Sequence, residues 1–240
     1  QEALGVGLSC LASAEGRLLA RTGKVADAGL RHGDTLTATV RSPRLFSRRH
    51  AYGFVLIRGD GSVVSWTKEK GLDTRQSDEA DLEAMEVQTT AGAVAVLCAD
   101  GRVVSWGETY SGGDSSAVRK QLHDVRSIQA SAGAFAALRS DGRVVTWGIR
   151  EAGGDSEDVQ EQLQHVAQLQ ASARAFAAVT EGGSVVTWGH PTAGGDSSDV
   201  QSQLHDVEGI FASGYSFLAL RRDGSAITWG SSEHGAPADR

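Results

Sequence analysis

The chain has 240 residues, of which 40% are hydrophobic and 22% charged, with a formal net charge of −7. That balance sustains a packed core and excludes global disorder. Residues 1–50 carry eight Lys/Arg against four Asp/Glu, whereas the remainder carries 15 against 26, and so acidic a remainder argues against a nucleic-acid partner, because phosphate contacts need cations. Taken from the start, the chain shows no basic stretch followed by an apolar core, so no signal peptide is expected. An initial Gln1 fits a longer parent or a processed start. Cys10 and Cys98 lie too far apart to suggest a disulfide framework. Free or buried thiols in a reducing compartment fit better, and a cytoplasmic or nuclear location is expected. No run of about 18 apolar residues occurs, so no membrane span is expected.

Residues 16–41 read GRLLARTGKVADAGLRHGDTLTATVR. They predict a strand at Arg17–Ala20, a turn at Gly23-Lys24, a loop over Ala28–Asp34 and a strand over Thr35–Arg41. Leu36, Ala38 and Val40 alternate as in a strand with one buried face. This order resembles the C-terminal half of a ubiquitin-like β-grasp domain, and residues 1–42 are set apart as a partial segment of that kind. The resemblance implies a missing first hairpin, with room for part of a helix in residues 1–14. Ser42-Pro43 follows Arg41 in place of a diglycine tail, so conjugation is not implied. Arg41, Arg44, Arg48 and Arg49 read as a solvated linker.

From about residue 43 a repeat takes over. Its markers are Trp66, Trp106, Trp147, Trp188 and Trp229, spaced by 40, 41, 41 and 41 residues. Each tryptophan ends the same pattern, for example FAALRSDGRVVTW at 135–147. Two apolar runs flank Asp60-Gly61, Asp100-Gly101, Asp141-Gly142, Gly182-Gly183 or Asp223-Gly224, and both residues of such a pair tolerate the positive φ of a tight hairpin. Upstream, VQTT, IQAS, LQAS and IFAS predict a further short strand, with Ala130, Ala171 and Ala212 small enough for close backbone approach. Downstream, GGDSSAVRKQLHDV and its two counterparts predict one or two helical turns, N-capped near Asp114, Asp155 and Asp196. Nine residues cannot hold a helix alone, so these turns are expected to pack on their sheets.

The third copy carries Ile128, Ala130, Ala137, Leu138, Asp141, Gly142, Val144, Trp147, Gly148 and Gly153 in one register. That register is similar to the repeat of the regulator-of-chromosome-condensation (RCC) family, a β-propeller. The resemblance implies, over 43–240, a mainly β propeller of about five blades. Each blade has three strands and a short helix, in a closed ring or an open arc. Departures accompany the match. The family's histidine position holds Gly53, Ala93, Ala134, Ala175 and Ser216, and the glycine before it is Thr90, Ser131, Ser172 or Ser213. Within such a fold the tryptophans are expected between sheets, an open sugar-stacking role remaining the alternative.

Catalytic signatures are absent from the pattern: no Gly-x-Ser-x-Gly elbow, no His-Glu-x-x-His and no phosphate loop. The seven histidines are spread along the chain rather than grouped for a metal. A non-enzymatic protein without cofactor or metal is therefore expected. Variation concentrates after each Trp-Gly, and Glu108, Tyr110, Arg150, Glu151 and His190 are the candidate partner-binding residues. The leading expectation is a protein-interaction scaffold. The resemblances imply the binding part of a ubiquitin ligase of the HECT-and-RCC type, with a ubiquitin-pathway partner. Alternatives are an exchange factor for a small GTPase and a lectin-like propeller.

Overall fold

The computed structural model describes residues 8–13, 18–19, 35–40, 42–46, 53–58, 63–67, 71–73 and 84–231. Two compact units emerge, residues 1–46 with 54–83, and residues 47–53 with 84–240.

In the first unit, β1 (Leu8–Ser13) lies between β2 (Leu18–Leu19) and β3 (Leu36–Val40), antiparallel to both. Strands at β2 and β3 were expected. The strand at β1 was not, because that stretch was assigned room for part of a helix. Ser9 and Ser13 alternate with Leu8, Cys10 and Ala12, and Leu11 alone breaks a strand period that the helix expectation overlooked. A second sheet of this unit runs β4 (Arg44–Phe46), β5 (Gly53–Ile57), β6 (Val63–Thr67), β7 (Gly71–Asp73) in order. It contains the first tryptophan copy, with four strands where three were expected. The extra strand is β7, whose Leu72 pairs with Trp66.

The second unit holds four three-stranded antiparallel meanders. They are β8 (Ala84–Thr89), β9 (Ala93–Cys98), β10 (Val103–Gly107); β11 (Val125–Ala130), β12 (Ala134–Arg139), β13 (Val144–Gly148); β14 (Val166–Ala171), β15 (Ala175–Thr180), β16 (Val185–Gly189); and β17 (Val207–Ala212), β18 (Ser216–Arg221), β19 (Ala226–Gly230). β12 and β15 are buried up to their last residue, because a neighbouring sheet covers each face, and β9 is buried along its whole length. Short side chains make that possible: Ala93, Ala95 and Leu97 share one core with Ile128, Phe135, Ala137 and Trp147 of the next blade. The same arrangement recurs between the second and third blades and between the third and fourth. Blade on blade, these sheets pack as in a β-propeller.

The hairpins are as placed, but their chemistry differs from expectation. Asp60-Gly61 lies outside the described residues; in the other four pairs only the second residue has positive φ, for instance Gly101 at 79° and Gly142 at 79°. The aspartate instead folds its carboxylate back: Asp100 and Asp141 each accept the N–H two residues on, from Arg102 and Arg143 at 3.1 Å. Glycine has a second reason to be there. A Cβ on Gly142 would lie 2.8 Å from the Cα of His165, at the entrance to the next blade.

The expected connector after Asp114 is a run of hydrogen-bonded turns, and those after Asp155 and Asp196 are 3-10 turns, not α-helix, at Glu157–Val159 and Ser198–Gln203. A further turn precedes each of these two, at Arg150–Ala152 and Pro191–Ala193. Asp155 and Asp196 stand one residue before the cap position, and their carboxylates accept the N–H of Glu157 and Ser198 at 2.9 Å. The short connector must return to the next inner strand within a few residues, and 3-10 turns cover more length per residue than α-helix.

Burial declines at the fourth blade. Leu218 and Leu220 are half-buried, whereas their counterparts Ala177 and Val179 are buried. Phe211 is 59% exposed.

Candidate partner-binding face

The loop between the first two strands of each blade repeats one hydrogen-bond pattern. Ala91 donates its N–H to the carbonyl of Ala132 at 2.7 Å, Ala132 to Ala173 at 2.8 Å and Ala173 to Gly214 at 2.8 Å. A hydroxyl stands beside each loop. Ser172 Oγ accepts the N–H of Ala175 at 3.1 Å and donates to the carbonyl of Ala193 at 2.8 Å. Ser131 does the same with Ala134 and Ala152, and Thr90 with Ala93 and Ser111. These are the positions where the RCC pattern has glycine. The hydroxyl there closes the connector onto its own blade.

The residue after each Trp-Gly is joined to the same loop. Glu108, Ile149, His190 and Ser231 donate their N–H to Gly92, Gly133, Arg174 and Tyr215, at 2.8 to 2.9 Å. The non-repeating residues thus hang from a repeating backbone frame and gather on one face of the four blades. Tyr110 is 81% exposed there, and Arg150 and Glu151 are exposed. His190 is half-buried, with Nδ1 3.0 Å from Thr192 Oγ1. Glu108 is less available than expected, since its carboxylate accepts the Ser111 hydroxyl at 2.6 Å. Arg174 and Tyr215 occupy this face too, although they were not among the candidates. The signal was present: the axial position reads Gly92, Gly133, Arg174, Tyr215 while Thr or Ser two residues earlier barely changes.

A groove of about 530 Å³ runs between the connectors that follow β13 and β16. One wall carries Arg150, Glu151, Asp155 and Asp158, the other His190 and Pro191, over Val159 and Trp188. Three of the five candidates, Arg150, Glu151 and His190, therefore line one cavity. Glu108 and Tyr110 hold the equivalent place one blade earlier, outside it. Arg150 Nε is 3.3 Å from Asp155 Oδ2.

Four of the tryptophans are not an open platform. Trp106, Trp147, Trp188 and Trp229 are all buried, and Trp147 stacks on Phe135 with ring centroids 5.2 Å apart. Each of the last three donates its indole N–H to a connector carbonyl of the preceding blade, at 2.9 to 3.0 Å. Satisfied N–H groups and buried rings remove the observation on which a sugar-stacking role depended. On the opposite edge, His123 and His205 pair with Asp124 and Asp206 at 2.8 and 2.9 Å. The His205 hydrogen bond is the largest of the causes that hold the Asp206 carboxyl below its usual range. Among the described residues no group of three His, Cys, Asp or Glu is arranged to hold a metal. No helix among them is long and apolar enough to cross a membrane.

No family model and no curated protein matches the chain. Solved structures do. The ectodomain of the Physcomitrella patens receptor kinase CR4 is 17% identical with a TM-score of 0.53, over 79% of this chain and 52% of that one. The CRINKLY WD40 ectodomain of the Arabidopsis thaliana receptor kinase ACR4 is 15% identical with a TM-score of 0.50, over 78% of this chain and 67% of that one. The fold is a β-propeller. Yeast RCC1 (Prp20), solved bound to Kap60, is 14% identical with a TM-score of 0.49, over 76% of this chain and 55% of that one. This propeller chain thus spans about half the length of the moss ectodomain.

Proposed function

We propose that the chain is a non-catalytic scaffold that binds a protein partner on the face bearing Tyr110, Arg150, Glu151, Arg174 and His190. One observation carries the reading: side chains that differ between copies hang from backbone bonds that do not differ. A frame that repeats while its decoration varies is how repeat scaffolds recognise partners. The groove beside Arg150 and His190 adds a concave seat with polar walls and an apolar floor.

Peptides selected on the wild-type chain from a displayed library supply the test. Their affinity is then measured against a Tyr110→Ala, Arg150→Ala, His190→Ala triple variant. Two or three such truncations at about 1 kcal/mol each weaken binding tenfold or more. Equal affinity with an unchanged melting temperature overturns the reading.

The finer setting is that of a ubiquitin ligase of the HECT-and-RCC type, with residues 1–42 as a partial ubiquitin-like segment before propeller repeats over 43–240. The order of elements in residues 16–41 and the RCC register of the third copy support it. The second reading, exchange on a small GTPase, draws on that same register. Stimulated nucleotide release from a GTPase panel decides between them, and no stimulation removes the second.

A further inference from the structure

The interface between successive blades is built three times in the second unit, always from the same two halves. One half is a seat, and the other is an incoming face led by an aromatic or aliphatic residue of the following blade. Seat residues are Ala95, Ala136 and Ala177 at the centre, each directly across its sheet from Gln88, Gln129 or Gln170. At the fourth blade this Gln–Ala pair becomes Phe211 and Leu218, which pair across β17 and β18. Phe211 is 59% exposed and Leu218 half-buried. This seat is more apolar than the three covered ones.

The first tryptophan copy presents the opposite half. Leu45 pairs with Leu56 across β4 and β5, as Ile128 pairs with Ala137 in the third copy. Phe54 stands where Phe135, Phe176 and Phe217 stand in later copies. Those three are fully buried on a seat, while Phe54 is 52% and Leu45 65% exposed. One chain therefore leaves exposed both halves of an interface that it builds three times elsewhere. The fourth seat also compensates in volume for its added Leu218: Ala226 replaces the valine found at Val103, Val144 and Val185.

We infer that the fourth-blade seat takes the Leu45–Phe54 face of a second copy of this chain, head to tail. A foreign partner would need to match one half. A second copy matches both at once, and it continues an interface already present. Such a contact is heterologous, so it propagates as a ring or a filament rather than stopping at a two-fold dimer.

Sedimentation velocity on the 240-residue chain over a concentration series tests this. Wild type is expected to self-associate with rising concentration. The F211Q/L218A variant restores the Gln–Ala pair of the covered seats and is expected to stay monomeric, as is F54S. Mixing these two variants is expected to give a one-to-one dimer and nothing larger, since each retains one intact half. Wild type that is monomeric throughout overturns the proposal. So do oligomers that survive either variant, and so does a mixture that stays monomeric. Melting temperatures of both variants establish that they fold, which their exposed positions favour.

Discussion

The carbonyl of Gly112 accepts the indole N–H of Trp147 at 2.9 Å, across 35 residues of chain and from one blade to the next. Gly153 and Trp188, and Gly194 and Trp229, repeat it at 3.0 Å. Trp147→Phe keeps an aromatic ring against Phe135 but leaves a buried carbonyl without its donor. The expected cost is about 1–3 kcal/mol, read as a lower urea midpoint. An unchanged midpoint would show that the bond contributes nothing net.

Two glycines of similar appearance should respond in opposite ways. Gly153 has φ of 90°, and an added Cβ would lie 2.4 Å from the Phe176 ring. Gly153→Ala is expected to destabilise by about 1–3 kcal/mol through overpacking and left-handed strain. Gly182 meets only Thr180 Oγ1, at 3.8 Å, and its φ is not positive. Gly182→Asp restores the Asp-Gly turn of the other copies and is expected to stabilise by about 0.4–1 kcal/mol. Thermal unfolding of the two variants side by side checks the signs.

Ser172→Ala removes a buried hydroxyl that serves Ala175 N–H and the Ala193 carbonyl together. A loss of about 1–3 kcal/mol is expected. Amide hydrogen exchange should rise first at Ala175. Equal protection in both proteins would contradict the role given to this hydroxyl.

Acid should weaken the fold through its turn carboxylates. The backbone N–H groups of Ser116 and Ser198 hold Asp114 and Asp196 below the ordinary value of 3.8. A depressed folded pKa means that the ionised form is favoured by folding. The contribution is present above that ordinary value and is lost as pH falls through the depressed one. Asp223, held down first by the Ser225 hydroxyl, acts in the same direction. The D114N/D196N double variant should therefore show a shallower decline of melting temperature on the acid side. An identical acid limb would count against it.

Much of this architecture is readable in the sequence because its signals are local. Asp141-Gly142 marks a hairpin, and the 41-residue recurrence of Trp-Gly marks the blade. What was misread depended on distant chain. Gly142 is required as much by His165 of the next blade as by its own turn. The 3-10 form of the connectors follows from the span they bridge, which no composition reveals. Leu8–Ser13 was read against a family order and not by its own alternation. At the candidate face, Arg150, Glu151 and His190 were visible because they follow Trp-Gly directly. Arg174 and Tyr215 were missed because what joins them to that face is a backbone bond, to His190 and Ser231.

The bonds from Ala91 to Ala132, from Ala132 to Ala173 and from Ala173 to Gly214 all link equivalent residues of adjacent blades and all point the same way along the chain. Any whole blade can therefore be duplicated or deleted in the gene, and its neighbours meet the same backbone groups as those they lost. Copy number is free to drift by recombination, while register within a copy is not. Such an array can change its length without inventing a new contact.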